Sequence, residues 1–204
     1  MKLYYTPGTC SLAIHILLID TGQPHTLERV DSVSKTTQSG VDYWTINPKG
    51  AVPLLELDNG QRLSEGPVIA QFIADTTDRL DLMPAAGDLR RYRVMEWQNF
   101  VTSELHKGYG PLFKTQFDEA ARTAARAALR SRYQWVDQQL ADRSYLTGDN
   151  FTAADVYLFV VTNWARMVDL DLSDLTHLQA FQQSVAERPA VRQAMAAEGL
   201  RKAA

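Results

Sequence analysis

One cysteine in the chain, Cys10, follows Thr6-Pro7-Gly8-Thr9 and precedes Ser11 and an apolar run, Leu12 to Ile19. A thiol at a helix start meets free N–H groups and a dipole that favour its anion. The plain alternative is a small buried hydrophobe. Ser64-Glu65-Gly66-Pro67 is a second place with chemistry. Ser64 reads as a helix N-cap and Pro67 as a first-turn residue. Backbone N–H groups beside one carboxylate suit a zwitterionic amino-acid head; as a cap alone the same residues need no ligand. The third place is the helix from Arg90. At ~100° per residue, Val94, Trp97, Val101 and Leu105 fall on one side, and Tyr92, Glu96, Asn99, Ser103 and His106 on the other. That polar stripe mixes amide, hydroxyl, imidazole and ions, which suits ligand contact, although an ordinary amphipathic helix also has a wet face.

His15, His25 and His177 stand apart from such groups and read as satisfied or exposed histidines, so no metal site is expected. Thr152 to Asp155 has the spacing of a capping box and reads as a folding device. Val52-Pro53 opens a strand, either as an edge proline or as a cis bond fixing a backbone turn.

The elements that position these residues follow in order. Lys2-Leu3-Tyr4-Tyr5 reads as a strand and Thr21-Gly22 as the end of the first helix. Thr26 to Val30 alternates as a half-buried strand. Residues 31–50 read as loop and short helix. Ala51 to Leu57 is a strand, Asp58-Asn59-Gly60 a turn, Gln61 to Leu63 the return strand. A helix with Ile69, Phe72 and Ile73 inward closes the set. The predicted first domain is residues 1–79, β-α-β-α-β-β-α, and residues 80–88 are a linker with Pro84 and Gly87. Residues 89–204 read as all helix: Arg90–Phe113, Ala120–Leu140, Ala153–Val168, Leu175–Glu187 and a shorter piece after Pro189.

The 204 residues carry a net charge of −3, which gives no basic footprint for nucleic acid or an anionic membrane. The lone cysteine excludes an intrachain disulfide framework. No apolar run approaches a membrane span, and no signal-peptide pattern opens the chain. The expectation is a soluble cytoplasmic protein.

Together Met1 to Leu12, Asn47 to Pro53, Glu65-Gly66, Glu104-Leu105-His106-Lys107-Gly108, Phe151 to Asp155 and Glu187-Arg188-Pro189 resemble the bacterial beta-class glutathione transferases over essentially the whole chain. The resemblance implies a thioredoxin-like N-terminal domain with Val52–Pro53 cis, an all-helical C-terminal domain and a homodimer. Cys10 matches the class cysteine beside the glutathione sulfur. Lys35 matches a lysine at the glycyl end. Val52, before Pro53, matches the backbone partner of the cysteinyl part, and Glu65 and Gly66 match the holders of the γ-glutamyl head. Asn99, Ser103, Glu104, Leu105, His106 and Lys107 lie in the matching stretch of the long helix. Tyr5 stands where other classes keep a catalytic tyrosine and is held in reserve with Ser11. Ala51 departs from the class, where glutamine is common.

The implied activity is attack of the glutathione thiolate on a small apolar electrophile, with glutathione as co-substrate and no metal. The implied electrophile pocket lies between the domains near Tyr5, Cys10, His106, Tyr109, Phe113 and Trp164. Glu65, facing an ammonium at a helix start, is expected to be partly buried and Lys35 more exposed. Two rivals remain. A glutathione-dependent thiol–disulfide oxidoreductase would be monothiol, because Ser11-Leu12-Ala13 supplies no second cysteine. A non-catalytic binder of apolar ligands has the retained Cys10, Lys35, Glu65 and His106 against it.

Overall fold

In the computed structural model, which describes residues 1–200, β1 (Lys2–Tyr5) is an inner strand of a sheet ordered β2-β1-β3-β4. β2 (Thr26–Arg29) runs parallel to it with Leu27 opposite Leu3. β3 (Leu54–Glu56) is antiparallel with Leu55 opposite Leu3, and β4 (Arg62–Ser64) follows antiparallel with Leu63 opposite Leu55. Side chains alternate across each strand, so each face has its own apolar set. Leu3 and Leu55 are fully buried on one face. Tyr4 and Leu54 point to the other and pack with Val30 and Tyr43.

Parallel strands need a crossover, and α1 (Ser11–Asp20) supplies it. Every residue from Ser11 to Leu18 is buried. A helix apolar on all sides must be covered on all sides. α1 packs on β1, on α2 (Gly66–Thr76) and on α8 (Pro189–Ala197). This corrects the expected boundary: residues 188–200 group with residues 1–80 as one compact unit, and residues 81–187 form the other. The amphipathic pattern of α8 specifies a buried face but not which core receives it.

Two local expectations change. The helix expected between β2 and β3 is a single 3₁₀ turn, Tyr43–Thr45, begun by Asp42, whose carboxylate accepts from the Trp44 N–H at 3.0 Å. Ser64 does not cap α2. It ends β4, paired with Leu54, and Glu65 takes the residue before the helix at φ 71°. The ladder claims Ser64 before the helix begins. The Val52–Pro53 bond is cis.

In the second unit the predicted helix Arg90–Phe113 is not one helix. α3 (Leu89–Phe100) passes into a widened π segment, Val101–His106, then a 3₁₀ turn, Lys107–Tyr109, and the short α4 (Gly110–Phe113). Strict 100° periodicity does not anticipate the break. The apolar stripe still holds: Val94, Trp97, Val101 and Leu105 are all buried. α5 (Glu119–Gln139) starts at Asp118, whose carboxylate accepts from the Ala121 N–H at 2.8 Å. α6 (Ala153–Thr162) is wholly buried and ends in a 3₁₀ stretch, Asn163–Met167, where a helix to Val168 was expected. α7 (Thr176–Ala186) follows and packs on α5 and α6. At the start of α6, Asp155 accepts from the Thr152 N–H at 2.7 Å, the Thr152 hydroxyl at 2.8 Å and the Leu146 N–H at 2.8 Å.

Candidate active site

Cys10 sits immediately before α1, half-buried, at the end of the turn that leaves β1. Its Sγ lies 3.3 Å from the Val52 carbonyl, to which the thiol donates. The cis peptide and the cysteine are therefore neighbours, as the resemblance implies. The turn is tied internally by Ser11, whose buried Oγ accepts from the Thr6 N–H and donates to the Thr6 carbonyl, both at 3.2 Å. That hydroxyl is engaged in holding the turn. Tyr5 is 8% exposed, and burial followed by the nearby Glu198 charge pushes its phenol upward. A raised phenol is a poor phenolate but remains a hydrogen-bond donor.

A residue the sequence reading did not single out holds this turn from far along the chain. Glu198, just after α8, accepts from the Gly8 N–H at 2.9 Å with one carboxylate oxygen. The other lies 2.9 Å from His15 Nδ1, and both side chains are almost fully buried. Gly8 has φ +72°, and a Cβ there would approach Leu200 to 3.3 Å. Glycine is thus required both by conformation and by the close approach. The available signal was indirect. A histidine inside a helix apolar on all sides must find a buried polar partner.

Glu65 differs from its expectation. Its side chain is 64% exposed, and it accepts from Lys49 Nζ at 2.9 Å, which also donates to Ser64 Oγ at 3.1 Å. Lys35, expected to be the more exposed, is half-buried at φ 56°. Its carbonyl accepts from the Tyr43 N–H at 2.8 Å. The order of burial is the reverse of the expected one, because the positive φ at Glu65 turns the residue outward from the strand end. Gly66 opens α2 beside it, and Pro53 is buried.

In the second unit the long-helix residues separate by role. Asn99, Ser103 and Lys107 are exposed. Glu104 pairs with Arg132 at 2.8 Å. Leu105 is fully buried and its side chain belongs to the core. His106 Nδ1 lies 2.6 Å from the Tyr157 hydroxyl, and Trp164 meets the imidazole edge-on with centroids 4.8 Å apart. Trp164 also contacts Tyr109 and Phe113, so the aromatic residues named for the electrophile pocket cluster with His106. Tyr109 is nevertheless 1% exposed, its hydroxyl donating to Tyr133 at 3.1 Å. Tyr157 was not foreseen; it lies 51 residues from His106. Among the described residues no group of three His, Cys, Asp or Glu side chains could hold a metal ion. No helix among them is long and apolar enough to cross a membrane.

Sequence models of the glutathione S-transferase N-terminal and C-terminal domains match residues 8–76 and 100–189. Glutathione S-transferase GstA of Escherichia coli O157:H7 is 45% identical over 98% of this chain and 100% of its own length. Among solved structures, a ternary complex of BphK, a bacterial transferase of this kind, superposes with a TM-score of 0.96 at 48% identity, covering 98% of this chain and 100% of that one. The beta-class glutathione S-transferase of Sphingomonas chungbukensis gives 0.95 at 40% identity, with 98% and 100% covered. With both halves matched and relatives this close aligned end to end, the chain belongs to the glutathione S-transferase family, as an enzyme of its bacterial beta class.

Proposed function

We propose that the protein joins glutathione to small apolar electrophiles: the thiolate sulfur forms a bond to carbon as the leaving group departs with its electron pair. The observation that carries this reading is the placement of Cys10 Sγ 3.3 Å from the Val52 carbonyl at the start of α1. A cysteinyl backbone lying along Val52 would bring its own sulfur to the same helix end, where N–H groups and the dipole favour an anion. The helix end supplies at most ~2 kcal/mol, or about 1.5 pKa units. It does not easily hold two adjacent thiolates, since like charges oppose each other. Cys10 therefore stays protonated during conjugation and donates to the glutathione sulfur, with His106 as a further donor. Tyr5 and Ser11 shape the turn. Lys35, Pro53, Glu65, Gly66, Asn99, Ser103, Glu104, Leu105 and Lys107 serve glutathione binding by match with the class, Leu105 through its backbone. The homodimer and the cytoplasmic location belong to the same reading.

The assignment is tested with Cys10→Ala. Conjugation of an aromatic halide should persist in substantial part. Glutathione-dependent disulfide reduction should vanish, because no other thiol can displace glutathione thiolate from its disulfide. Intact mass after exposure to oxidised glutathione should show one adduct on the wild type and none on the variant. Loss of conjugation in Cys10→Ala would make Cys10 the principal activator of the sulfur. No conjugation by the wild type would overturn the reading.

A further inference from the structure

We propose that Tyr157 is a positioning residue that holds the neutral His106 ring with its proton on Nε2. A neutral imidazole has one N–H and one lone pair, and the partner of one nitrogen decides which is which. The contact here is between His106 Nδ1 and Tyr157 Oη at 2.6 Å. Bonds donated by N–H run ~2.7–3.2 Å, whereas hydroxyl donors reach ~2.5–3.0 Å. The distance selects the phenol as donor and Nδ1 as acceptor. Tyr157 is 7% exposed, and a buried hydroxyl hydrogen needs an acceptor. Chemistry agrees, since a phenol is a strong neutral donor and an imidazole lone pair a strong neutral acceptor.

The ring is fixed in a second way. Trp164 packs edge-on against it at 77°, and the Tyr157 ring stands at 82° to it with centroids 6.0 Å apart. Rotation about the last side-chain bond, which would exchange the two edges of the imidazole, is opposed by both neighbours. The nitrogen opposite Nδ1 is thereby left as an N–H donor without any need for a positive charge. This rests on the reading of His106 as a donor to the glutathione sulfur. It adds that α6 supplies the part that makes it a donor. An uncharged donor can hold a thiolate over the whole range in which the imidazole is neutral.

The test uses the whole protein labelled with ¹⁵N-histidine. The chain has four histidines, and the His106 signals are identified by their loss in His106→Gln. In the ligand-free wild type at mild alkaline pH, Nδ1 should appear as an unprotonated nitrogen and Nε2 as a protonated one. In Tyr157→Phe, which keeps the ring and removes only the hydroxyl, the signals should move toward a mixture of the two forms. A protonated Nδ1 in the wild type, or an unchanged spectrum in Tyr157→Phe, overturns the proposal; the wild-type spectrum decides even if the variant fails to fold. Conjugation gives the second readout. Tyr157→Phe should lower kcat about tenfold while the KM for glutathione stays nearly constant, as expected for loss of an oriented donor to developing charge. A held ring with undiminished kcat in Tyr157→Phe overturns the positioning role and the assignment of His106 to the sulfur together, while conjugation itself stands.

Discussion

Asp155 and Glu198 are both buried carboxylates that accept several hydrogen bonds, yet they are built in opposite ways. Asp155 draws on Thr152 and Leu146, three and nine residues away. Glu198 draws on Gly8 and His15, 190 and 183 residues away. The first secures the start of one helix from its own sequence neighbourhood. The second joins the two ends of the described chain and holds the turn that carries Cys10. A local hub can lose one bond and keep its geometry, because the chain between its partners is short. A remote hub has no such support, so its loss should release a whole segment.

The largest expected effect is that of Glu198→Ala. Removing one member of a buried charged contact costs ~3–5 kcal/mol. For a chain of this size that lowers Tm by roughly 10 °C or more. Glu198→Gln, which retains an acceptor for the Gly8 N–H, should lose distinctly less. Thermal and denaturant unfolding decide it, and equal losses for the two variants would break the comparison.

The next concerns pH. Burial pushes Asp155 up to about 6, against the hydrogen bonds from Leu146 and Thr152 that hold it down. The native state therefore holds the proton more tightly than the unfolded chain, whose value is near 3.8. Stability should fall as pH rises from about 4 to about 6, by at most roughly 3 kcal/mol. Urea midpoints of the wild type across this window should show that slope, and those of Asp155→Asn should lack it. A wild type that gains stability over the same window would mean that the hydrogen bonds outweigh burial.

The smallest is Thr152→Ala, worth ~1 kcal/mol, because Asp155 keeps its two backbone donors. A drop in Tm beyond about 5 °C would show the local hub to be as brittle as the remote one.

The same contrast explains what the sequence made legible. The capping box, the helix start at Cys10 and the turn before β4 rest on neighbours within a few residues, and each could be read directly. The cis Val52–Pro53 bond was legible only through the family resemblance, since proline alone allows both isomers. The packing of α8 on α1 was hidden because amphipathicity names a face, not its partner. The exposure of Glu65 was hidden for another reason. A left-handed backbone at a non-glycine residue has no local signature, and the ion pair with Lys49 depends on two loops meeting. His106 was found from composition, but Tyr157 sits on a different helix inside a run of aliphatic residues. Nothing in that run marks one hydroxyl as turned toward an imidazole.

The π segment Val101–His106 makes chain length a functional quantity. Its widened turns hold more residues than α-helical turns over the same rise. Deleting a single exposed residue there, such as Ser103, would let the helix close into regular α geometry. Everything after the deletion would then lose one step of about 1.5 Å and 100°. The imidazole would swing away from the Tyr157 hydroxyl although neither residue had changed. A substitution at Ser103 carries no such penalty. Within this short stretch the number of residues constrains the site more tightly than their identity does.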